Sequence, residues 1–108
     1  NIGIDVESVM PYNPDVARKV CTAGELKMLE QSSNKDVEFI KLWTVKEAIS
    51  KYEGIGLCLP FKEINQTAYM LYTQIQKEGM YAMSICYGKT IPKRHQASGD
   101  SSYFLTPI

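Results

Sequence analysis

Apolar residues recur along this chain in different rhythms, and each rhythm predicts an element. Ile2, Ile4 and Val6 alternate with Gly3, Asp5 and Glu7, which predicts a strand over residues 2–6. That alternation puts Asp5 and Glu7 on one side of the strand and Ile4 and Val6 on the other. Asn13-Pro14 offers a cap and a first-turn proline, so residues 15–20 read as a short helix. Thr22-Ala23-Gly24-Glu25 is a capping box and opens a second helix, with Leu26, Leu29 and Met28 as its apolar face. Residues 31–34 form a polar loop, and Asp36 precedes the longest helical pattern, residues 37–52. There Leu42, Val45, Ile49 and Tyr52 repeat at helical spacing, and Gly54 is suited to the C-cap. After Pro60 the period shortens. Residues 67–75 and 80–87 are rich in Tyr, Met, Ile and Thr, and Gln76-Lys77-Glu78-Gly79 separates them as the turn of an antiparallel hairpin. The order is strand, three helices, two strands: an α+β domain over residues 1–87, followed by a tail over 88–108 in which apolar periodicity stops.

Composition narrows the function classes. The 108 residues suffice for one core, and twelve basic residues balance twelve acidic ones. That balance gives no support to a nucleic-acid or membrane-surface role, so anion binding has to be local. No apolar run is long enough to span a membrane. Cys21, Cys58 and Cys86 are widely spaced and odd in number, which argues against a disulfide framework or zinc site and for a reducing, cytoplasmic setting. The chain opens on Asn rather than Met, and an upstream segment is expected.

The candidate chemistry lies in two short stretches. Glu47 and Lys51 stand four apart, on one helix face. As an exposed pair they would contribute only about 0.2–0.5 kcal/mol. Asp5 and Glu7 are likewise open to a reading as solvated strand residues. Side by side, however, two carboxylates repel unless something positive stands between them. A sparse set of carboxylates with phosphate and water is what magnesium takes. Lys46 falls between Leu42 and Trp43 on the helical wheel, inside the apolar arc. A phosphate at the helix edge would account for both Lys46 and Lys51, although a long stem can also snorkel to solvent. Trp43 reads as core, Gly56 as a place for close backbone approach to a ligand, and His95 as a surface residue.

Taken together, Gly3-Ile4-Asp5-Val6-Glu7 and Trp43-Thr44-Val45-Lys46-Glu47-Ala48-Ile49-Ser50-Lys51 resemble the paired motifs of the 4′-phosphopantetheinyl transferase superfamily. Gly54-Ile55-Gly56-Leu57 and Leu59-Pro60-Phe61 add to the match. Trp43 and Glu7 look like the surfactin-synthetase-activating type. The resemblance implies an α+β unit of one strand, three helices and two strands. It implies transfer of the phosphopantetheine arm of coenzyme A to a serine of an acyl or peptidyl carrier protein, releasing 3′,5′-ADP. It also implies roles: Asp5, Glu7 and Glu47 as ligands of magnesium (or manganese), Glu47 as general base, Lys51 as phosphate clamp and Lys46 as helper at coenzyme A.

Members of that type contain two similar halves, and this chain resembles the C-terminal one. The expectation is therefore an N-terminal half in the same or another chain, or self-association. Arg18 and Lys19 are candidate docking residues for an acidic carrier. Two other readings compete: a magnesium-dependent phosphohydrolase or nucleotidyl transferase using the same carboxylates, and a non-catalytic interaction module.

Overall fold

The computed structural model describes residues 1–54 and 60–90. Its elements are β1 (Gly3–Ser8), α1 (Pro14–Val20), α2 (Ala23–Gln31), α3 (Lys35–Glu53), two 3₁₀ turns (Phe61–Glu63 and Gln66–Ala68), β2 (Tyr69–Gln76) and β3 (Tyr81–Lys89). The α+β order matches the sequence expectation. Asn13 caps α1 through the amides of Asp15 and Val16. The Thr22–Glu25 capping box of α2 is closed in both directions. Asn34 caps α3, so that helix begins at Lys35, two residues before the expected start at 37. Gly54 ends α3 with φ 77°, in the left-handed region that glycine enters without steric cost.

The sheet has the order β1–β3–β2, with both pairings antiparallel. Lys77 and Glu78 take positive φ in the hairpin turn and Gly79 follows at 93°. β3 runs to Lys89, and Thr90 bonds back to Ala68 and Thr67. Gly88 and Lys89, expected to open the tail, instead belong to β3 and pair with Met70 and Tyr69 of β2; residues 91–108 of the expected tail lie outside the described residues. The readings of Gly56 and His95 lie outside the described residues.

α3 lies across one face of the sheet. Val45, Ala48, Ile49, Ile64 and Cys86 form one buried cluster, and Ala17, Cys21, Leu29, Phe39, Ile40 and Ala82 form another. A buried side chain such as Leu29 or Ile49 stabilises the fold by about 1.5–3 kcal/mol. Between the layers a hydroxyl chain joins Thr44 to Ser84 at 2.8 Å and Ser84 to Thr73 at 2.9 Å. Ser84 lies opposite Asp5 in the β1–β3 register.

Strand alternation puts Gly3, Asp5 and Glu7 toward α3. The other face of the sheet points away from it and is unusually apolar for an open surface. Ile2, Ile4, Val6, Met70, Tyr72 and Tyr87 are all exposed there.

Candidate active site

The approach of β1 to α3 creates the site. A Cβ on Gly3 would lie 1.9 Å from the Ala48 carbonyl oxygen and 2.5 Å from the Tyr52 amide nitrogen. Only glycine lets the strand backbone rest on the helix backbone here. Two residues on, Asp5 is 6% exposed and faces the same helix.

Lys51 reaches back from the last turns of α3. Its Nζ donates to Asp5 Oδ1 at 2.8 Å and to the Ile4 carbonyl at 3.2 Å. The bond to Asp5 raises the Lys51 pKa, and Glu47 and Glu7 add to the effect. Asp5 Oδ2, by contrast, is buried with no hydrogen-bond partner, the one such side-chain atom among the described residues. Unpaired buried oxygens of this kind are costly and call for a ligand.

Glu7 and Glu47 supply the remaining negative charge. Burial raises the Glu7 pKa, and the neighbouring Asp5 carboxylate raises it further, while the Trp43 indole acts in the opposite direction. Burial also raises Glu47, with Asp5 second, and Lys51 partly offsets both. Three carboxylates thus interact around a single ammonium.

The donor set fits a hard divalent cation: oxygen ligands only, an orphaned buried oxygen, and excess negative charge. Among the described residues no three such side chains are drawn together tightly enough to enclose an ion on their own. Magnesium does not require such a closed group, since it keeps waters and takes phosphate oxygens beside one or two carboxylates.

Of the residues singled out by sequence, the structure brings Asp5, Glu7, Glu47 and Lys51 together and leaves Lys46 elsewhere. Lys46 is fully buried, and its Nζ lies 2.8 Å from Glu25 Oε1 and 2.7 Å from the Phe61 carbonyl. Its counter-charge is Glu25 and not a phosphate, so its expected help at coenzyme A is withdrawn. Trp43 is only partly buried and lines a pocket with Glu7, Met10, Val16 and Phe39. Arg18 pairs with Asp15 on the exposed side of α1, and Lys19 is exposed beside it.

Two contributors escaped the sequence reading. The signal for Gly3 was a glycine inside an apolar strand. Glu25 gave no separate signal, because the capping box already accounted for it.

The sequence profile of the 4′-phosphopantetheinyl transferase superfamily matches residues 1–86. The chain belongs to this superfamily. It is 31% identical over 91 residues to the 4′-phosphopantetheinyl transferase Sfp of Bacillus subtilis (strain 168), covering 82% of the chain and 40% of that relative. It is 31% identical over 83 residues to the 4′-phosphopantetheinyl transferase gsp of Aneurinibacillus migulanus, covering 71% of the chain and 35% of the relative. The chain therefore spans well under half the length of these curated relatives.

Among solved structures, the fold is similar to holo-[acyl-carrier-protein] synthase of Thermotoga maritima, with TM-score 0.69 and 15% identity over 83% of this chain and 63% of that one. It is also similar to the holo-(acyl-carrier-protein) synthase of Bacillus anthracis str. Ames solved with CoA (3′,5′-ADP). There the TM-score is 0.65 at 17% identity, over 83% of this chain and 96% of that one.

Proposed function

We propose that this chain is the acid-bearing unit of a 4′-phosphopantetheinyl transferase. It acts on coenzyme A and on a serine of an acyl or peptidyl carrier protein, and 3′,5′-ADP leaves. The observation that carries this reading is the buried Asp5, with one oxygen on Lys51 and the other unbonded beside Glu7 and Glu47, in a chain of this superfamily.

Asp5, Glu7 and Glu47 would hold magnesium, or manganese in its place. When bound, the ion supplies positive charge to the pyrophosphate oxygens. The chain's own residues do the rest. Glu47, directly or through a water, takes the proton of the serine hydroxyl, which is a poor nucleophile without a positioned base. The raised pKa of Glu47 moves it toward neutrality, where a carboxylate base is more effective. Lys51 is half-exposed, so its ammonium can add a phosphate oxygen to its bond with Asp5. Transfer of a phosphoryl group depends chiefly on such positioning and charge.

The open sheet face and the relatives' greater length support a second unit as partner. We assign the face formed by Ile4, Val6, Tyr72 and Tyr87 to a second unit, either an N-terminal half in the same or another chain or a second copy. A carrier approaches the site past Arg18 and Lys19. The setting is cytoplasmic, in keeping with free, buried Cys21 and Cys86. No helix among the described residues is long and apolar enough to cross a membrane.

The test is mass spectrometry of an apo carrier protein incubated with coenzyme A, magnesium and the protein, with the second unit supplied. The expected result is a carrier bearing the phosphopantetheine arm. An unmodified carrier with every component present sinks the proposal. Breakdown of coenzyme A at the same rate without any carrier replaces it with a phosphohydrolase.

A further inference from the structure

Lys46 is left over from this chemistry, yet it is the largest fully buried side chain among the described residues. We propose that Lys46 and Glu25 form a positioning pair for the acidic site, fixing where Glu47 and Glu7 stand relative to Asp5. The proposal rests on the transferase reading for its kinetic readout, but not for its metal-binding readout.

The Glu25 carboxylate joins several segments. Oε1 accepts from Lys46 Nζ at 2.8 Å and from the Thr22 amide at 2.9 Å, and Oε2 accepts from Gln66 Nε2 at 2.8 Å. Lys46 Nζ donates in addition to the Phe61 carbonyl at 2.7 Å. The first turn of α2, the middle of α3 and both 3₁₀ turns thereby meet at two charges. Apolar burial is non-directional, whereas these bonds fix distance and direction. A buried ion pair gives little net stability relative to a well-packed apolar pair, so its effect is on geometry.

Two routes lead from Lys46 to the carboxylates. Along α3 the next residue is Glu47, so pinning Lys46 toward α2 sets the angle at which Glu47 leaves the helix toward β1. Through space, Lys46 holds Phe61, whose ring packs edge-on against Trp43 at 5.5 Å, and Trp43 lines one pocket wall with Glu7. Asp5 has two holds of its own on α3, the close backbone contact at Gly3 and the bond from Lys51. Loosening the pair therefore lets the Glu47 side chain and the Trp43 wall beside Glu7 shift relative to Asp5, which those contacts retain.

The experiment compares Lys46→Met and Glu25→Gln in the full-length protein. Manganese affinity is read by titration calorimetry, kcat and KM by transfer assays, and folding by circular dichroism. The expected result is manganese affinity weakened about 10–100-fold, as for groups that orient metal ligands. kcat falls with it, and KM for coenzyme A stays within about two-fold. The double variant is no worse than Lys46→Met alone, because the two act as one unit. Wild-type manganese affinity in both folded variants overturns the proposal. So does a raised KM for coenzyme A at unchanged manganese affinity, which would put Lys46 on a phosphate. If Lys46→Met does not fold, Glu25→Gln, which keeps the shape and loses the charge, decides alone. A wild-type protein that binds manganese but modifies no carrier refutes the transferase activity and leaves the metal measurement able to judge the pair.

Discussion

Replacing Gly3 by Ala is the sharpest perturbation the structure offers. The new Cβ would stand 1.9 Å from the Ala48 carbonyl oxygen and 2.5 Å from the Tyr52 amide nitrogen. Both are helix backbone atoms and cannot swing aside. Non-bonded heavy atoms settle near about 3.5 Å, so β1 has to move off α3 by about 1.5 Å. Asp5 is two residues away on the same strand, and Lys51 holds it at 2.8 Å. A shift of that size takes the pair beyond the roughly 3.2 Å limit of a good hydrogen bond. Overpacking of this kind costs about 1–3 kcal/mol, and each kcal/mol lowers the Tm of so small a domain by about 4–8 °C. A 1 Å misplacement at a reacting centre can cost about 10²-fold in rate. The assay pairs thermal unfolding with single-turnover transfer to a carrier. Gly24→Ala is the control, since its Cβ would meet only Thr22 Oγ1 at 4.0 Å. Placed in the first turn of α2, alanine there should leave stability unchanged or raise it by up to about 1 kcal/mol, with Tm held or increased accordingly. Wild-type Tm and wild-type transfer in Gly3→Ala would refute the claim that the bare backbone contact builds the site.

Other expected outcomes follow from the same geometry. Lys51→Met should lower transfer by about 10²–10³-fold, as loss of a charge-stabilising donor does, and should also lower Tm, because it leaves the buried Asp5 carboxylate without its cation. Thr22→Ala removes the side-chain cap of α2 and should cost about 1 kcal/mol in denaturant unfolding. For pH, Glu7 and Glu47 have folded pKa values above the ordinary 4.5, so the folded state holds their protons more tightly. Their ionisation disfavours the folded, metal-free protein at neutral pH. Stability from these two groups should rise as pH falls through their raised values, until the 4.5 of the unfolded chain is passed. Magnesium should flatten that slope and release protons on binding, measurable by calorimetry in buffers of different ionisation enthalpy.

Sequence spacing carried the acidic site because its logic is local. Asp5 and Glu7 share a strand face by alternation, and Glu47 and Lys51 share a helix face by turn. Long-range facts were not available to it. Alternation says that Ile4 and Val6 share a side, but not that this side faces away from α3. The helical wheel placed Lys46 in the apolar arc correctly, and it is indeed shielded from water. The wheel gives no distance to Glu25, twenty-one residues upstream. Gly3 looked like part of a motif, while its reason is a helix backbone some forty-five residues later. Cap positions behaved similarly. The α3 helix starts at Lys35 rather than Val37 because the Asn34 side chain accepts the Val37 amide, while Asp36 Oδ1 accepts the Tyr12 amide at 2.7 Å.

The most direct measurement is rapid-quench release of 3′,5′-ADP with coenzyme A, magnesium and an apo carrier, for the wild-type protein and Glu47→Gln. With the base and one metal ligand removed, release should fall by at least about 10²-fold while the protein stays folded. In the wild type it should match the modified carrier serine mole for mole. Equal release by Glu47→Gln, or release without modified serine, would contradict the assignment of Glu47 and of the site built around it.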